Sequence, residues 1–492
     1  MEYILSIDQS TSGTKAILFE PDGKIVKRKD VAHRQITNAV GWVEHDPMEI
    51  LNGVYESCRQ LLEDIPNPNI KAVGISNQRE TAVCWDILTG KPVYNAIVWQ
   101  CGRAASITDS LTHKSEDIRK ITGLKLSPFF SAAKFAWILQ NIPEAKNLAQ
   151  QNRLCCGTID SWLLYNLTSE KVFKTDYSNA SRTQLMNLDT LKWDETIADD
   201  FGISISMLPE ICYSDSVFGH TSLNGIFPYE VPICAVLGDS HAALYANGCH
   251  TENTAKATFG TGSSVMMNVG KKRLSNPSKG IVESLAWGIN GQVDYVLEGN
   301  INCSGAIIRW LVDLGLIENS KQSGKIASTV DDTNGVYLVP AFSGLGAPYW
   351  LNDARAIMYG MSLSTGREEI VRAGEEAIVY QVKDIVVELN AGRFDGLSSL
   401  CVDGGPTNDS FLMEFLSGIL DMEINISKTE ELSAAGVAYL ASISSGCATK
   451  NEIFSKSHHT KIRHQIEPQK RSKLYGGWKD AVTMLLDKGV QR

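Results

Sequence analysis

Short apolar runs punctuated by small polar turns dominate this chain. Ile4-Leu5-Ser6-Ile7 stops at Asp8, a polar turn follows to Gly13, and Ala16-Ile17-Leu18-Phe19 resumes the apolar pattern. Such a run reads as a buried strand, a tight turn bearing one carboxylate, and a second strand leaving it. Lys24-Ile25-Val26 extends that second strand, and residues 47 to about 63 carry a helical period. Residues 71–76, 82–85 and 94–99 read as further strands, the first ending in Asn77-Gln78-Arg79-Glu80-Thr81. Mixed helical stretches fill about 104–151. The alternation then resumes with a strand over 233–237, a helix over about 240–247 and a strand over 256–259. The last of these enters a hairpin, Phe259-Gly260-Thr261-Gly262-Ser263-Ser264, and a later strand over 399–402 delivers Asp403-Gly404-Gly405. Thr365-Gly366-Arg367-Glu368 has the form of a capping box with Thr365 as N-cap. The helix after it is apolar at Ile370, Val371, Ala377, Ile378, Val382, Ile385 and Val386, which suits a helix lying on a sheet.

Both halves thus follow one plan, a hairpin with a small-residue turn and then α/β cover, without any literal repeat. At 492 residues the chain exceeds what one core supports, so a division into 1–247 and 248–492 is expected. Three polar turns spread over such a length point to a nucleotide held between two lobes.

Composition narrows the class. Hydrophobic content of 43% and charged content of 21% are those of a soluble globular enzyme. A formal net charge of −10 argues against a nucleic-acid partner, which needs a basic surface. No apolar stretch approaches the about 18 residues of a membrane span, and the opening Met1-Glu2-Tyr3 reads as strand rather than signal peptide, so a cytoplasmic protein is expected. Eleven cysteines without a C-x-x-C pair read as reduced core thiols. The chain has no Walker-type phosphate loop, no G-x-G-x-x-G, no G-x-S-x-G and no H-E-x-x-H.

Several side chains carry candidate chemistry. Asp8 can hold a hydrated divalent metal, while the amides and hydroxyls of its turn face phosphate oxygens. Thr261 offers an amide and a hydroxyl, and Gly262 and Gly405 permit close backbone approach. Arg79-Glu80 is either a surface ion pair or an adjacent donor and acceptor for neighbouring hydroxyls of a polyol. Trp99 at the next strand end is either core or an apolar wall for a carbon chain. Asp239 follows a buried strand, where a carboxylate is an N-cap or a general base, and phosphoryl transfer to an alcohol needs such a base.

These residues resemble the FGGY carbohydrate kinases, and within them the glycerol-specific branch most nearly. The likeness runs almost end to end: Asp8-Gln9, Gly41-Trp42-Val43-Glu44-His45-Asp46-Pro47, Asn77-Gln78-Arg79-Glu80-Thr81, Asn95-Ala96-Ile97-Val98-Trp99-Gln100-Cys101, Asn179-Ala180-Ser181-Arg182, Gly260-Thr261-Gly262, Gly344-Leu345-Gly346-Ala347-Pro348-Tyr349-Trp350 and Asp403-Gly404-Gly405. The resemblance implies an α/β fold of two ribonuclease-H-like domains, as in actin and the Hsp70 chaperones, closing on ATP and a small polyol. It implies that Arg79, Glu80, Trp99, Phe129, Asp239 and Ser240 line the polyol site, with Asp239 as base, and that Asp8 holds Mg²⁺. It further implies that Thr11, Ser12, Lys15, Gly260 and Thr261 address the phosphates, with Gly305, Arg309, Gly405 and Asp409 around the adenosine, in a homo-oligomer. Four positions depart from the family pattern: Ser240 replaces a usual Gln, Phe129 a usual Tyr, Gly102 a usual basic residue and Ser10 a usual Gly. The first two lie in the expected polyol site, so a larger polyol or ketose stands as the alternative substrate. A nucleotide-gated binding module without kinase activity is the alternative of another class.

Overall fold

A computed structural model describes residues 2–274, 277–391, 393, 396–455 and 459–489. Two sheets organise it. The first contains β1 (Glu2–Gln9), β2 (Gly13–Phe19), β3 (Ile25–Ala32), β4 (Asn69–Asn77), β5 (Gly219–Thr221) and β6 (Val231–Gly238), in the order β5-β6-β4-β1-β2-β3. The second contains β7 (Thr254–Phe259), β8 (Ser263–Gly270), β9 (Val282–Ile289), β10 (Gln292–Ile301), β11 (Ser399–Asp403), β12 (Glu423–Ser427) and β13 (His459–Ile462), in the order β9-β10-β8-β7-β11-β12-β13.

The pairings repeat. β1-β2-β3 is an antiparallel meander, and β4 and β6 join it in parallel. β7-β8-β10 is likewise antiparallel, with β11 and β12 added in parallel. Each sheet ends on an antiparallel edge, β5 on β6 and β13 on β12. This is the ribonuclease-H-like plan, present twice, and it brings the polar ends of β1 and β7 to comparable places in their sheets. The central strands are buried on both faces, as the apolar runs require.

Six helices matter for the site: α1 (Pro47–Leu62), α2 (Ser131–Asn141), α3 (Asp239–Ala246), α4 (Gly305–Asp313), α5 (Arg367–Asn390) and α6 (Leu432–Ser444). Asp46 caps α1 by accepting from the Met48 amide at 2.8 Å, and Pro47 opens it. α6 comes from the second half of the chain yet lies on the first sheet. Ser6 donates to the Ala434 carbonyl at 2.8 Å, and a Cβ on Gly74 would stand 2.5 Å from the Val437 carbonyl. One buried apolar cluster therefore joins β1, β4, β6 and α3 to α6. Among the described residues, no helix is long and apolar enough to cross a membrane.

Three local expectations need correction. The capping box is displaced by one residue: Gly366 is the N-cap of α5, and Glu369, not Glu368, accepts its amide at 2.9 Å. Thr365 instead accepts from the Ser362 amide, within the preceding turn. Residues 94–99 form a strand only at Ala96–Ile97; Tyr94 and Asn95 donate from their side chains to Glu44, and the Trp99 amide donates to the Thr81 hydroxyl. Residues 24–26 open a separate third strand, β3, rather than prolonging β2.

Candidate active site

Asp8, the next-to-last residue of β1, is 3% exposed and accepts from the Ser76 hydroxyl on β4 at 2.5 Å. Burial lifts its carboxyl to about 6, against the Ser76 bond and the Lys15 charge. Lys15 stands 3.9 Å away and 2.5 Å from Glu431, a residue of the second half that also pairs with Arg28. Of the turn between, Ser12 is exposed, and the Thr11 hydroxyl accepts from the Trp99 indole at 3.0 Å. Trp99 therefore ties the turn after β1 to the segment that follows residues 96–97. Its ring meets Phe129 edge-on, with centroids 5.5 Å apart.

β4 ends in Asn77 and passes into Arg79 and Glu80, which are 8% and 3% exposed. The surface-pair reading fails here. Arg79 grips Glu298 of β10 with two hydrogen bonds, at 3.1 and 2.8 Å, and its Nε lies 3.5 Å from Asp239. Glu80 accepts from Arg182 at 2.6 Å, and Arg182 also stands 3.1 Å from Glu298. Glu80 holds a left-handed φ of 60°, a conformation a non-glycine residue keeps only where its surroundings impose it. Burial alone would raise the Glu298 carboxyl, yet the Arg79 and Arg182 guanidiniums hold it well below the ordinary glutamate range.

Asp239 is the first residue of α3, and the N-cap position falls to Gly238. Its side chain remains 34% exposed and, among the described residues, accepts from the Ser240 amide at 2.6 Å beside the Arg79 contact. His241, two residues on, is fully buried without a hydrogen-bond partner among the described residues, and burial pushes its imidazole well down, so it is neutral.

A cavity of about 630 Å³ opens between the halves, bounded by Lys15, Asp239 and Ser240 on one side and Lys256, Asp403 and Gly405 on the other. A Cβ on Gly405 would meet nothing within 4 Å, so this backbone is open to a ligand. The hairpin at the end of β7 is built differently from expectation. A Cβ on Gly262 would lie 2.4 Å from the Ile301 carbonyl, so this glycine serves β10 rather than a phosphate. Gly305 opens α4 against the same turn, its amide bonded to the Gly260 carbonyl at 2.9 Å, while Gly260 and Thr261 are exposed. Arg309 is not brought to the cavity: its guanidinium is exposed and pairs with Asp313 at 3.0 Å. Asp409 caps the helix Ser410–Leu420 through the Leu412 amide and accepts from the Gly324 amide at 3.0 Å, one residue beyond the cavity wall.

Sequence reasoning missed Glu298, Arg182, Lys256 and Glu431. Two of them left a signal. Glu298 and Lys256 are lone charges inside apolar strands, Val296-Leu297-Glu298 and Ala255-Lys256-Ala257, and a charge buried in a sheet must find a partner. Lys256 donates to Thr258 at 2.6 Å, and burial lowers its ammonium against the opposing charge of Asp403.

Two lobes of one plan, with polar strand ends at a shared cavity, agree with two family models. The FGGY family of carbohydrate kinases, N-terminal domain, matches residues 3–246, and its C-terminal domain matches 255–445. The chain belongs to the FGGY family of carbohydrate kinases. This FGGY kinase is 44% identical over 491 residues to "Glycerol kinase 1" of Thermotoga maritima, covering 98% of this chain and 99% of that one. It is 45% identical over 489 residues to a glycerol kinase of Caldanaerobacter subterraneus, covering 98% of each. The solved structure of Plasmodium falciparum glycerol kinase with ADP matches it with a TM-score of 0.93 at 35% identity, covering 99% of this chain and 98% of that one. A xylulose kinase from Lactobacillus acidophilus, with a TM-score of 0.89 at 21% identity over 99% of each chain, shares the fold.

Proposed function

We propose that this FGGY kinase transfers the terminal phosphoryl group of ATP to a primary hydroxyl of glycerol, giving glycerol 3-phosphate and ADP. The observation that carries the reading is Asp239: a partly exposed carboxylate at a strand end, at the rim of the interlobe cavity and beside a buried guanidinium. The near-complete likeness to relatives named glycerol kinase supports glycerol as the alcohol.

In this reading Arg79 and Glu80 supply a donor and an acceptor to neighbouring hydroxyls, each locked by a buried partner before substrate arrives. Trp99 and Phe129 cover the carbon skeleton, and Ser240 lines the site beside the base. Asp239 takes the proton of the attacking hydroxyl as its oxygen bonds to phosphorus and the bond to the ADP oxygen breaks. Lys15, Thr11, Ser12, Gly260 and Thr261 face the phosphates, with Gly305, Gly405 and Asp409 toward the adenosine end.

Mg²⁺ belongs to the same reading. Among the described residues no three His, Cys, Asp or Glu side chains form a metal cage. A hydrated Mg²⁺ asks for less, one or two carboxylates with substrate phosphates completing its shell. Asp8 fits, being a desolvated carboxylate beside Lys15. Mg²⁺ would neutralise phosphate charge there. We further divide the chain at 247/248, and place it, as an ATP-consuming enzyme rich in buried free thiols, in the cytoplasm as a homo-oligomer.

The test is ADP release by the purified chain with ATP and Mg²⁺, across glycerol, erythritol, pentitols and ketopentoses, with the product identified by mass. Glycerol-dependent ADP release with the highest kcat/KM on the panel is expected. Release unaffected by every polyol, or far faster with a larger one, overturns the assignment.

A further inference from the structure

Lys134 has no part in the reaction as derived, yet its placement is costly. It sits in the first turn of α2, fully buried, where the helix dipole disfavours a cation. Burial pulls its ammonium down to about 7, with the Glu80 charge opposing. Its Nζ turns back out of the helix to the carbonyls of Phe129 and, at 3.3 Å, Phe130, and stands 5.9 Å from the centre of the Phe129 ring.

The segment it holds leads straight to the proposed polyol pocket. Phe129 meets Trp99, while the Ser131 hydroxyl donates to the Glu80 carbonyl at 3.0 Å. The Phe130 ring lies under the Arg182 guanidinium at 5.3 Å, and Arg182 binds the Glu80 carboxylate. The amides of this aromatic pair are tied to Ser127, Phe129 to its hydroxyl at 3.2 Å and Phe130 to its carbonyl at 3.3 Å, while both carbonyls point to the lysine. A buried amine bonded to both carbonyls fixes the other edge of the segment, and it has hydrogens for both whether charged or neutral.

We propose that Lys134 is a positioning residue for polyol binding, fixing the Phe129 wall and, through Ser131, the Glu80 end of the pocket. This rests on the reading of Phe129 and Glu80 as polyol-site residues.

Lys134→Met keeps length and apolar bulk while removing the donor. With steady-state kinetics varying glycerol and ATP separately, the KM for glycerol is expected to rise at least about tenfold, and the KM for ATP to stay within about twofold. A purely structural lysine would lower thermal stability without separating the two constants. Lys134→Gln, which retains a donor for one carbonyl, is expected to fall between, and serves where the methionine variant does not fold. In a Phe129→Ala background, Lys134→Met is expected to raise the glycerol KM by clearly less than it does in the wild type, because one of the two features it holds is gone. Unchanged constants, equal shifts in both, or full multiplication of the two single effects would each overturn the proposal. A wild-type chain that shows no glycerol-dependent turnover overturns the glycerol reading itself, and this inference falls with it. A wild-type chain that turns over, with variants lacking the split, sinks this inference alone.

Discussion

Glu298→Gln tests the buried charge network most directly. The carboxylate receives Arg79 at 3.1 and 2.8 Å and Arg182 at 3.1 Å, with no exposure to solvent. Glutamine preserves the shape but loses the charge, and its amide hydrogens face guanidinium donors. Breaking a buried ion pair from one side typically costs about 3–5 kcal/mol. Part of that strain has an outlet, since Arg79 already stands 3.5 Å from Asp239 and would move onto it. An Asp239 carboxylate so engaged is a poorer base, and Arg79 is drawn from the polyol. If about 3 kcal/mol of the loss reaches the transition state, kcat/KM for glycerol falls roughly 100-fold. ADP affinity, measured by calorimetry, is expected to stay within about threefold. Stability carries a second signature. The Glu298 carboxyl is held below its ordinary 4.5, so its contribution is present above pH 4.5 and lost as pH falls through the lower folded value. The wild type is therefore expected to lose denaturation midpoint below pH 4.5 more steeply than the variant, whose midpoint is already lower at pH 7. A variant with kcat/KM within threefold of wild type and an unchanged midpoint refutes the reasoning.

Asp239→Asn is expected to lower kcat by about 10²–10⁴ while ADP still binds, the usual scale for a lost general base; wild-type-like turnover removes it from the mechanism. Asp8 is raised to about 6, so the fold favours its protonated form, a contribution complete below the ordinary 3.8 and lost as pH rises through about 6. Mg²⁺ competes with that proton, so the half-saturating Mg²⁺ concentration is expected to rise about tenfold per pH unit below this point; a flat dependence between pH 5 and 7 counts against Asp8 as its ligand. Glu431→Gln frees Lys15 from a partly buried pair of ~1 kcal/mol, so the KM for ATP is expected to fall about fivefold; an unchanged or higher KM shows that Lys15 does not meet the phosphates.

The strand ends were legible because the chemistry is local there. Asp8 closes an apolar run and Asp239 another, and both stand where those runs stop. The partners were not legible. Arg79 meets Glu298 across 219 residues, and Lys15 meets Glu431 across 416, distances over which no periodicity speaks. The glycines show the same limit. Gly262 and Gly405 sit in similar small-residue turns, yet one is required by the close approach of β10 and the other faces open space. The capping box slipped by one residue because Thr365-x-x-Glu368 and Gly366-x-x-Glu369 overlap, and the Ser362 amide, a contact within the preceding turn, already occupies the Thr365 hydroxyl.

If Asp239 is the base, as proposed, the arrangement of charges explains why it, among three carboxylates around two guanidiniums, is the one left to accept a proton. Glu298 takes both Nη atoms of Arg79 and a contact from Arg182, and Glu80 takes the Nε of Arg182. Those bonds hold Glu298 in its ionised form with both oxygens taken, and fix Glu80 in place as the acceptor proposed for a hydroxyl. Among the described residues, Asp239 receives a 3.5 Å contact from Arg79 and the amide of Ser240, and it keeps a third of its side chain exposed at the cavity wall. Fixing the guanidiniums elsewhere is thus the condition for a base here. A free Arg79 would neutralise Asp239 outright, and a missing one would leave its charge unsupported. The same bonds hold Arg79 and Glu80 in place before any alcohol binds, so recognition of the hydroxyls and protection of the base come from one set of contacts.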